Sequence, residues 1–172
     1  LLGERGIAAR GIDLNAVSVA ECVADGLDVV QGDALAYLRS LPAGSLRAVC
    51  GLHLVEHLTD TDRTALIIAA YEALAVGGGI ILETPNPENL RVGATTFWLD
   101  PTHLRPVPPR LLEFQVSEAG FDAVEVQRLH PSDDAVVVPA DADPLATDLA
   151  ALVNRLIAGP MDYAVIGRKV ES

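Results

Sequence analysis

Aromatic residues are scarce in this sequence: three Phe, three Tyr and one Trp in 172 residues. A core must therefore be assembled mainly from Ala, Val, Leu and Ile, which strands alternating with helices use well. Cysteine is scarcer still. Cys22 and Cys50 do not make a disulfide framework, and both fall in apolar patterns that read as ordinary buried thiols. Basic residues are few, 12 Lys and Arg against 24 Asp and Glu, for a net charge of -12. With no basic run to displace counterions, the sequence argues against nucleic acid and anionic membrane surfaces as partners. No stretch approaches the ~20 apolar residues of a membrane span, and no signal peptide is visible. A reducing cytoplasm is the simplest compartment. What is present is a chain half hydrophobic and 21% charged, enough apolar material for a folded core and one domain over residues 1–172.

The chain opens on Leu1, not Met, and residues 1–6 read as the end of a helix already under way, closed by Gly6. An N-terminally truncated chain is expected on that reading. Residues 9–14 read as a strand with Asp13 near its end, and Asn15 is a good N-cap for a helix to about residue 25. A second strand over 27–31 leads into Gly32-Asp33 and a helix over 34–41. Residues 46–52 are an apolar run between turn signals, a buried strand. Helical spacing covers 61–75, and Gly77-Gly78-Gly79 is expected to stop it before a buried strand over 80–84. Residues 85–109 are proline-rich and irregular, a long insertion of the functional kind. A helix over 110–119, a strand over 121–129, a mobile acidic stretch over 133–144, a helix over 145–158 and a strand over 161–168 complete the order, with 131–160 as a second insertion. This alternation is that of an open α/β sheet with helices on both faces.

In such a sheet, ligands bind at the carboxyl ends of the strands. Four places there carry polar residues. Asp13 can accept two hydrogen bonds from a ribose diol, or be a plain solvated acid before an N-cap. Gly32 lets the backbone approach a planar ring, and Asp33 can accept from an exocyclic amine, cap the next helix, or do both. His53, Glu56 and His57 leave the third strand together. Thr84-Pro85-Asn86-Pro87 leaves the fourth, with Asp100, His103 and Arg105 following. His53-x-x-Glu56-His57 also matches the H-x-x-E-H pattern of some zinc peptidases. Those enzymes carry the motif on a helix and this one leaves a strand, which excludes a peptidase.

Several of these segments together resemble the class I S-adenosylmethionine-dependent methyltransferases, in the branch that modifies small molecules and sugars. Ile12-Asp13-Leu14-Asn15 resembles their acidic second motif, Gly32-Asp33-Ala34 the adenine-contacting third, and the run from Val49 to Leu58 the fourth. Leu74-Ala75-Val76-Gly77-Gly78-Gly79-Ile80-Ile81 resembles the helix, tight turn and strand that follow. Trp98-Leu99-Asp100-Pro101-Thr102-His103-Leu104-Arg105-Pro106 resembles loops of glycan-modifying members. The resemblance implies a Rossmann-like, doubly wound, mostly parallel sheet, lacking the first strand and glycine-rich loop of the family. It implies S-adenosyl-L-methionine as cofactor, bound by Asp13, Leu14, Gly32, Asp33, Ala34, Leu52 and His53. It also implies methyl transfer to an oxygen of a small-molecule acceptor, possibly a glycan, with His53, His57 or His103 as general base. A divalent ion on His53, Glu56, His57 and His103, polarising an acceptor hydroxyl, is the less favoured reading. The alternative of another class is a catalytically degenerate binding or scaffold protein.

Overall fold

The computed structural model describes residues 2–171. The sequence places good N-caps where helices begin. α1 (Ala16–Ala24) starts at Asn15, whose side chain accepts from the N–H groups of Val17 and Ser18. α2 (Ala34–Ser40) starts at Asp33, which accepts from the N–H of Ala36. Thr59 caps α3 (Asp60–Ala73) and Asn89 caps α4 (Leu90–Ala94). Proline at the first position opens both α5 (Pro109–Glu118) and α6 (Pro144–Ile157), where its missing N–H costs nothing.

The strands form two ladders. β1 (Gly11–Asp13) and β2 (Val29–Gln31) pair in parallel, Asp13 opposite Gln31. β3 (Leu46–Leu52), β4 (Leu74–Pro85), β5 (Asp122–Pro131) and β6 (Pro160–Arg168) form the other, in the order β3-β4-β6-β5. β3 and β4 run parallel; β6 runs antiparallel to both β4 and β5. Among the described residues β1 has no ladder partner but β2, and β3 none but β4. This is the expected mixed α/β architecture, with β1–β2 and β3–β4 paired in parallel.

The core belongs to the second ladder. α3 contributes buried Leu66, Ile67, Ala69, Ala70 and Ala73; β4 contributes Ile80 and Leu82; α5 contributes Leu112 and Val116; β6 contributes Tyr163 and Val165. At ~1.5–3 kcal/mol per fully buried large apolar side chain, this cluster outweighs the helix caps, each worth ~1 kcal/mol. α1 buries no residue, and Leu14, Val17, Val23 and Leu27 around it are exposed.

Five expectations are corrected. The triple glycine does not follow a helix and precede a strand; α3 ends at Ala73 and β4 already begins at Leu74. Leu74 pairs with Leu46, and Gly79 pairs with both Ala48 and Arg168, so the glycines lie within the paired region. Gly77, at φ 81°, donates its N–H to the Lys169 carbonyl. Ladder pairing has overridden the usual reading of glycine as a stop. The two thiols are not both buried: Cys22 is half-buried, and Cys50 is exposed because β3 is an edge strand here. The insertion over 85–109 holds α4 and a short 3-10 turn (Thr96–Leu99). The acidic stretch is tied down, with Asp134 paired to Arg91 and Val136 exchanging two hydrogen bonds with Asn154. At the start of the chain, Gly3–Arg5 is one 3-10 turn closed by left-handed Gly6, and Leu1 lies outside the described residues.

Gly78 marks how tightly β4 meets its neighbours. A Cβ there would lie 2.8 Å from the Ala75 carbonyl oxygen and 3.0 Å from that of Arg47, both backbone atoms. Gly78→Ala is therefore expected to destabilise the fold by about 1–3 kcal/mol, read as a lowered midpoint in denaturant unfolding. An unchanged midpoint would mean that the backbone relaxes freely at this point.

Candidate functional site

The carboxyl ends of β1 and β2 lie side by side, because these strands are parallel neighbours. Asp13 ends β1, and the N–H of Gly32 donates to its backbone carbonyl across the ladder at 2.9 Å. Asp13 accepts from the N–H of Asn15 at 2.7 Å, and Asp33 from that of Ala36 at 2.7 Å, each through Oδ1. Each carboxylate thus uses one oxygen to fix a local turn or cap and keeps further lone pairs for a ligand. Gly32 has room beside it, the nearest atom to a Cβ there being Ile12 Cγ2 at 3.9 Å. Leu14 is exposed next to Asp13, and Leu52 is exposed at the end of β3.

Leaving β3, His53 takes a left-handed backbone, φ 48°, and donates its N–H to the Glu83 carbonyl. A non-glycine residue there is uncommon and carries strain. The turn Val55–His57 then drops Glu56 into the interior, where it is fully buried. Burial alone would push the Glu56 carboxyl up. Hydrogen bonds from His53, from the backbone and from Thr84 outweigh that and hold it below its usual range. Thr84 Oγ1 donates to Oε2 at 2.8 Å, and His53 Nδ1 lies 3.2 Å from Oε1. The bond to Glu56 raises the His53 pKa against the effect of partial burial, and Asp162 and Glu83 add to the rise. His53 Nε2 faces those two acids at 4.0 and 3.8 Å.

The long insertion closes over this point. Leu104 donates its N–H to the Glu56 carbonyl, and the buried Tyr163 hydroxyl donates to that of Val107. His103 Nδ1 lies 2.6 Å from the Phe97 carbonyl oxygen, so Nδ1 carries the proton. Thr102 Oγ1 gives its one proton to Asp100 Oδ1 at 2.6 Å and so accepts from His57 Nδ1 at 3.0 Å. That hydrogen bond from Thr102 keeps the Asp100 carboxyl below its ordinary range. His130, also left-handed at φ 52°, reaches Asp162 through Nδ1 at 3.0 Å. All four histidines of the chain therefore give Nδ1 to an acceptor, and each leaves Nε2 free when neutral.

Of the residues singled out from sequence, His53, Glu56, His57 and His103 come together. Asp13, Leu14, Gly32, Asp33, Ala34 and Leu52 line the carboxyl ends of β1, β2 and β3. Phe97 is buried and packs the insertion down; Trp98 is half-exposed, its Nε1 donating to the Gly93 carbonyl. Sequence reasoning missed Glu83, Asp162 and His130. The signal for Asp162 was a lone acid in the apolar run Met161-Asp162-Tyr163-Ala164-Val165.

This fold, with acids ending two adjacent strands and a polar cluster beyond the third, is that of the class I S-adenosylmethionine-dependent methyltransferases. A family model described as "Methionine biosynthesis protein MetW" matches residues 1–95, and the chain belongs to the MetW family. It is similar to a SAM dependent methyltransferase from Archaeoglobus fulgidus, at 31% identity and a TM-score of 0.89, over 98% of this chain and 79% of that one. A SAM dependent methyltransferase from Mesorhizobium loti is 21% identical, TM-score 0.65, over 97% and 83% of the two chains. A chain in the Haloferax volcanii complex with the Trm112 methyltransferase activator is 17% identical, TM-score 0.70, over 99% and 76%. The last two show the fold alone. No curated protein matches the chain. No helix among the described residues is long and apolar enough to cross a membrane.

Asp33 is the residue whose local and ligand roles can be separated by substitution. Asp33→Ala removes the cap of α2 and is expected to cost about 1 kcal/mol, whereas Asp33→Ser keeps a capping oxygen and restores most of it. Thermal unfolding of the two variants checks this, and equal losses in both would show that the cap contributes nothing.

Proposed function

We propose that this chain transfers the methyl group of S-adenosylmethionine to a hydroxyl oxygen of a sugar-containing small molecule, with His53 as general base. The observation that carries the reading is the His53–Glu56 pair: a buried carboxylate fixes Nδ1 and leaves Nε2 as the free basic nitrogen, at the carboxyl edge of the sheet. The donor set suits a nucleoside. Asp13 would accept from the ribose diol and Asp33 from the adenine amine, with Gly32 and Ala34 backbone against the ring and Leu14 alongside. Backbone at Leu52 and His53 would meet the methionine half. The cofactor supplies an electrophilic methyl group on a sulfonium.

The chain's own residues then do three things. They hold the acceptor hydroxyl in line with the carbon–sulfur bond, which lowers the entropic part of the barrier. His53 Nε2 takes the hydroxyl proton as the oxygen–methyl bond forms and the carbon–sulfur bond breaks. Glu56 on one side, and Glu83 and Asp162 on the other, stabilise the resulting imidazolium, as a carboxylate does for histidine in hydrolytic triads. A sugar is favoured by Trp98, whose half-exposed indole is held by Gly93 and offers a flat face to the C–H side of a ring.

Two outcomes follow. Asp13→Ala is expected to weaken S-adenosylhomocysteine binding about tenfold or more, the loss of one hydrogen bond to a charged group, with the fold intact. Calorimetric titration checks it; no wild-type binding at all would favour a scaffold over an enzyme. His53→Gln should leave that affinity within about threefold while lowering the turnover of a glycan acceptor by about 10²–10⁴. Full turnover in His53→Gln would remove His53 as the base.

A further inference from the structure

Resting on the methyl-transfer reading, we propose that the acceptor carries a carboxylate, which Arg155 holds in a cavity beside the reacting groups. The cavity has a volume of about 440 Å³, within the range that takes small molecules. Its walls come from Asn86, Glu88 and Asn89 beyond β4, from Arg128 of β5, from Arg155 in the last turn of α6 and from Pro160 at the start of β6.

Its place in the fold ties it to the reaction. Asn86 donates its N–H to the Met161 carbonyl at 2.8 Å, and Pro85 pairs with Asp162. Pro85, Met161 and Asp162 line the smaller cavity, of about 110 Å³, that His103 also lines. The two cavities therefore flank one joint between β4 and β6. Asp162 faces His53 Nε2 at 4.0 Å. It stands two strand residues from Pro160, roughly 7 Å along the chain, a span that a monosaccharide covers.

Charge selects the ligand. Arg128 donates Nε and Nη2 to Glu88 Oε2 at 3.0 and 2.7 Å, so that pair is neutral. Arg155 meets no acceptor among the described residues. The cavity thus holds one guanidinium in excess, on a chain whose net charge is -12. An arginine in a last turn also suits the helix dipole, but no α6 carbonyl accepts from this one. A single fork of N–H donors matches a carboxylate. A phosphate dianion would bring two charges to one unpaired guanidinium and face Glu88, which disfavours it.

The walls are fixed before any ligand arrives. Asn86 and Asn89 are buried, and their amides donate to the Pro160 and Gly159 carbonyls at 3.0 and 2.9 Å. Their Oδ1 atoms accept from the N–H groups of Glu88 and Arg91 at 3.1 and 3.0 Å. A Cβ on Gly159 would lie 2.9 Å from the Arg155 carbonyl oxygen, so the chain turns tightly out of α6. A preformed wall lowers the ordering cost of binding.

The test is calorimetric titration of the full chain, saturated with S-adenosylhomocysteine, by glucuronate, glucose and glucose 6-phosphate. Glucuronate is expected to bind at least about tenfold more tightly than glucose. Arg155→Gln should abolish that preference and leave glucose affinity unchanged. Arg155→Lys, which keeps the charge without the fork, should recover part of it. Arg110→Gln, on the exposed side of α5, should bind as the wild type does. In ¹⁵N–¹H spectra the Arg155 Nε–H signal, identified by its absence from Arg155→Lys, should shift with glucuronate and not with glucose, a response that an arginine serving only the helix end would not give. Equal affinities for glucuronate and glucose, or an undiminished preference in Arg155→Gln, overturn the proposal; tighter binding of glucose 6-phosphate overturns the carboxylate in favour of a phosphate. S-adenosylhomocysteine titrated alone separates the two claims. Cofactor binding without a preference for glucuronate refutes the carboxylate site alone, whereas that preference without cofactor binding refutes methyl transfer and leaves a sugar-acid site.

Discussion

The site depends on one buried charge. Glu56 has no exposed surface, and an ionised carboxylate in such a place persists only when its oxygens are matched by donors. Thr84 from the end of β4 and His53 from the end of β3 supply them, while the Glu56 backbone carbonyl receives the N–H of Leu104 from the long insertion. Three separate pieces of chain thus converge on one residue. Leaving a buried acceptor without its donor costs roughly 1–3 kcal/mol, so this convergence holds the carboxyl edge of the sheet in place.

The molecule divides its labour along the sheet. The ladder from β3 to β5 carries the packed core and, at one end, the polar cluster. The β1–β2 ladder carries Asp13 and leads into Asp33, the two acids proposed to hold the nucleoside, on a unit that buries little: α1 has no buried residue. Its link to the core runs through α2, where Leu38 joins the cluster of buried side chains centred on α3 and β4. Cofactor affinity is therefore expected of the lightly packed part and chemistry of the rigid one, the usual placing of precise geometry on a scaffold.

Much of this was legible in the sequence because the signals are local. Asp13, Asn15 and Asp33 sit where strand ends and caps require such residues, and helix spacing and apolar runs found nearly every element. What was not legible depends on long-range pairing. The triple glycine read as a stop, because nothing local shows that Gly77 and Gly78 bond to Lys169 across the sheet. Asp162 and His130 belong to antiparallel strands whose register brings His130 to Asp162, and Asp162 faces His53 from more than a hundred residues away, which no spacing rule records. Cys50 read as buried because a continuous apolar run does not tell an edge strand from a central one.

The surrounding acceptors fix the imidazole tautomers and leave Nε2 for chemistry. Long-range nitrogen–proton correlation spectra of ¹⁵N-histidine-labelled protein report this directly, at a pH high enough for the rings to be neutral. His53, His57 and His103 are each expected to carry their proton on Nδ1 and to show an unprotonated Nε2. Protonated Nε2 in His53, the form imidazole prefers in water, would contradict it.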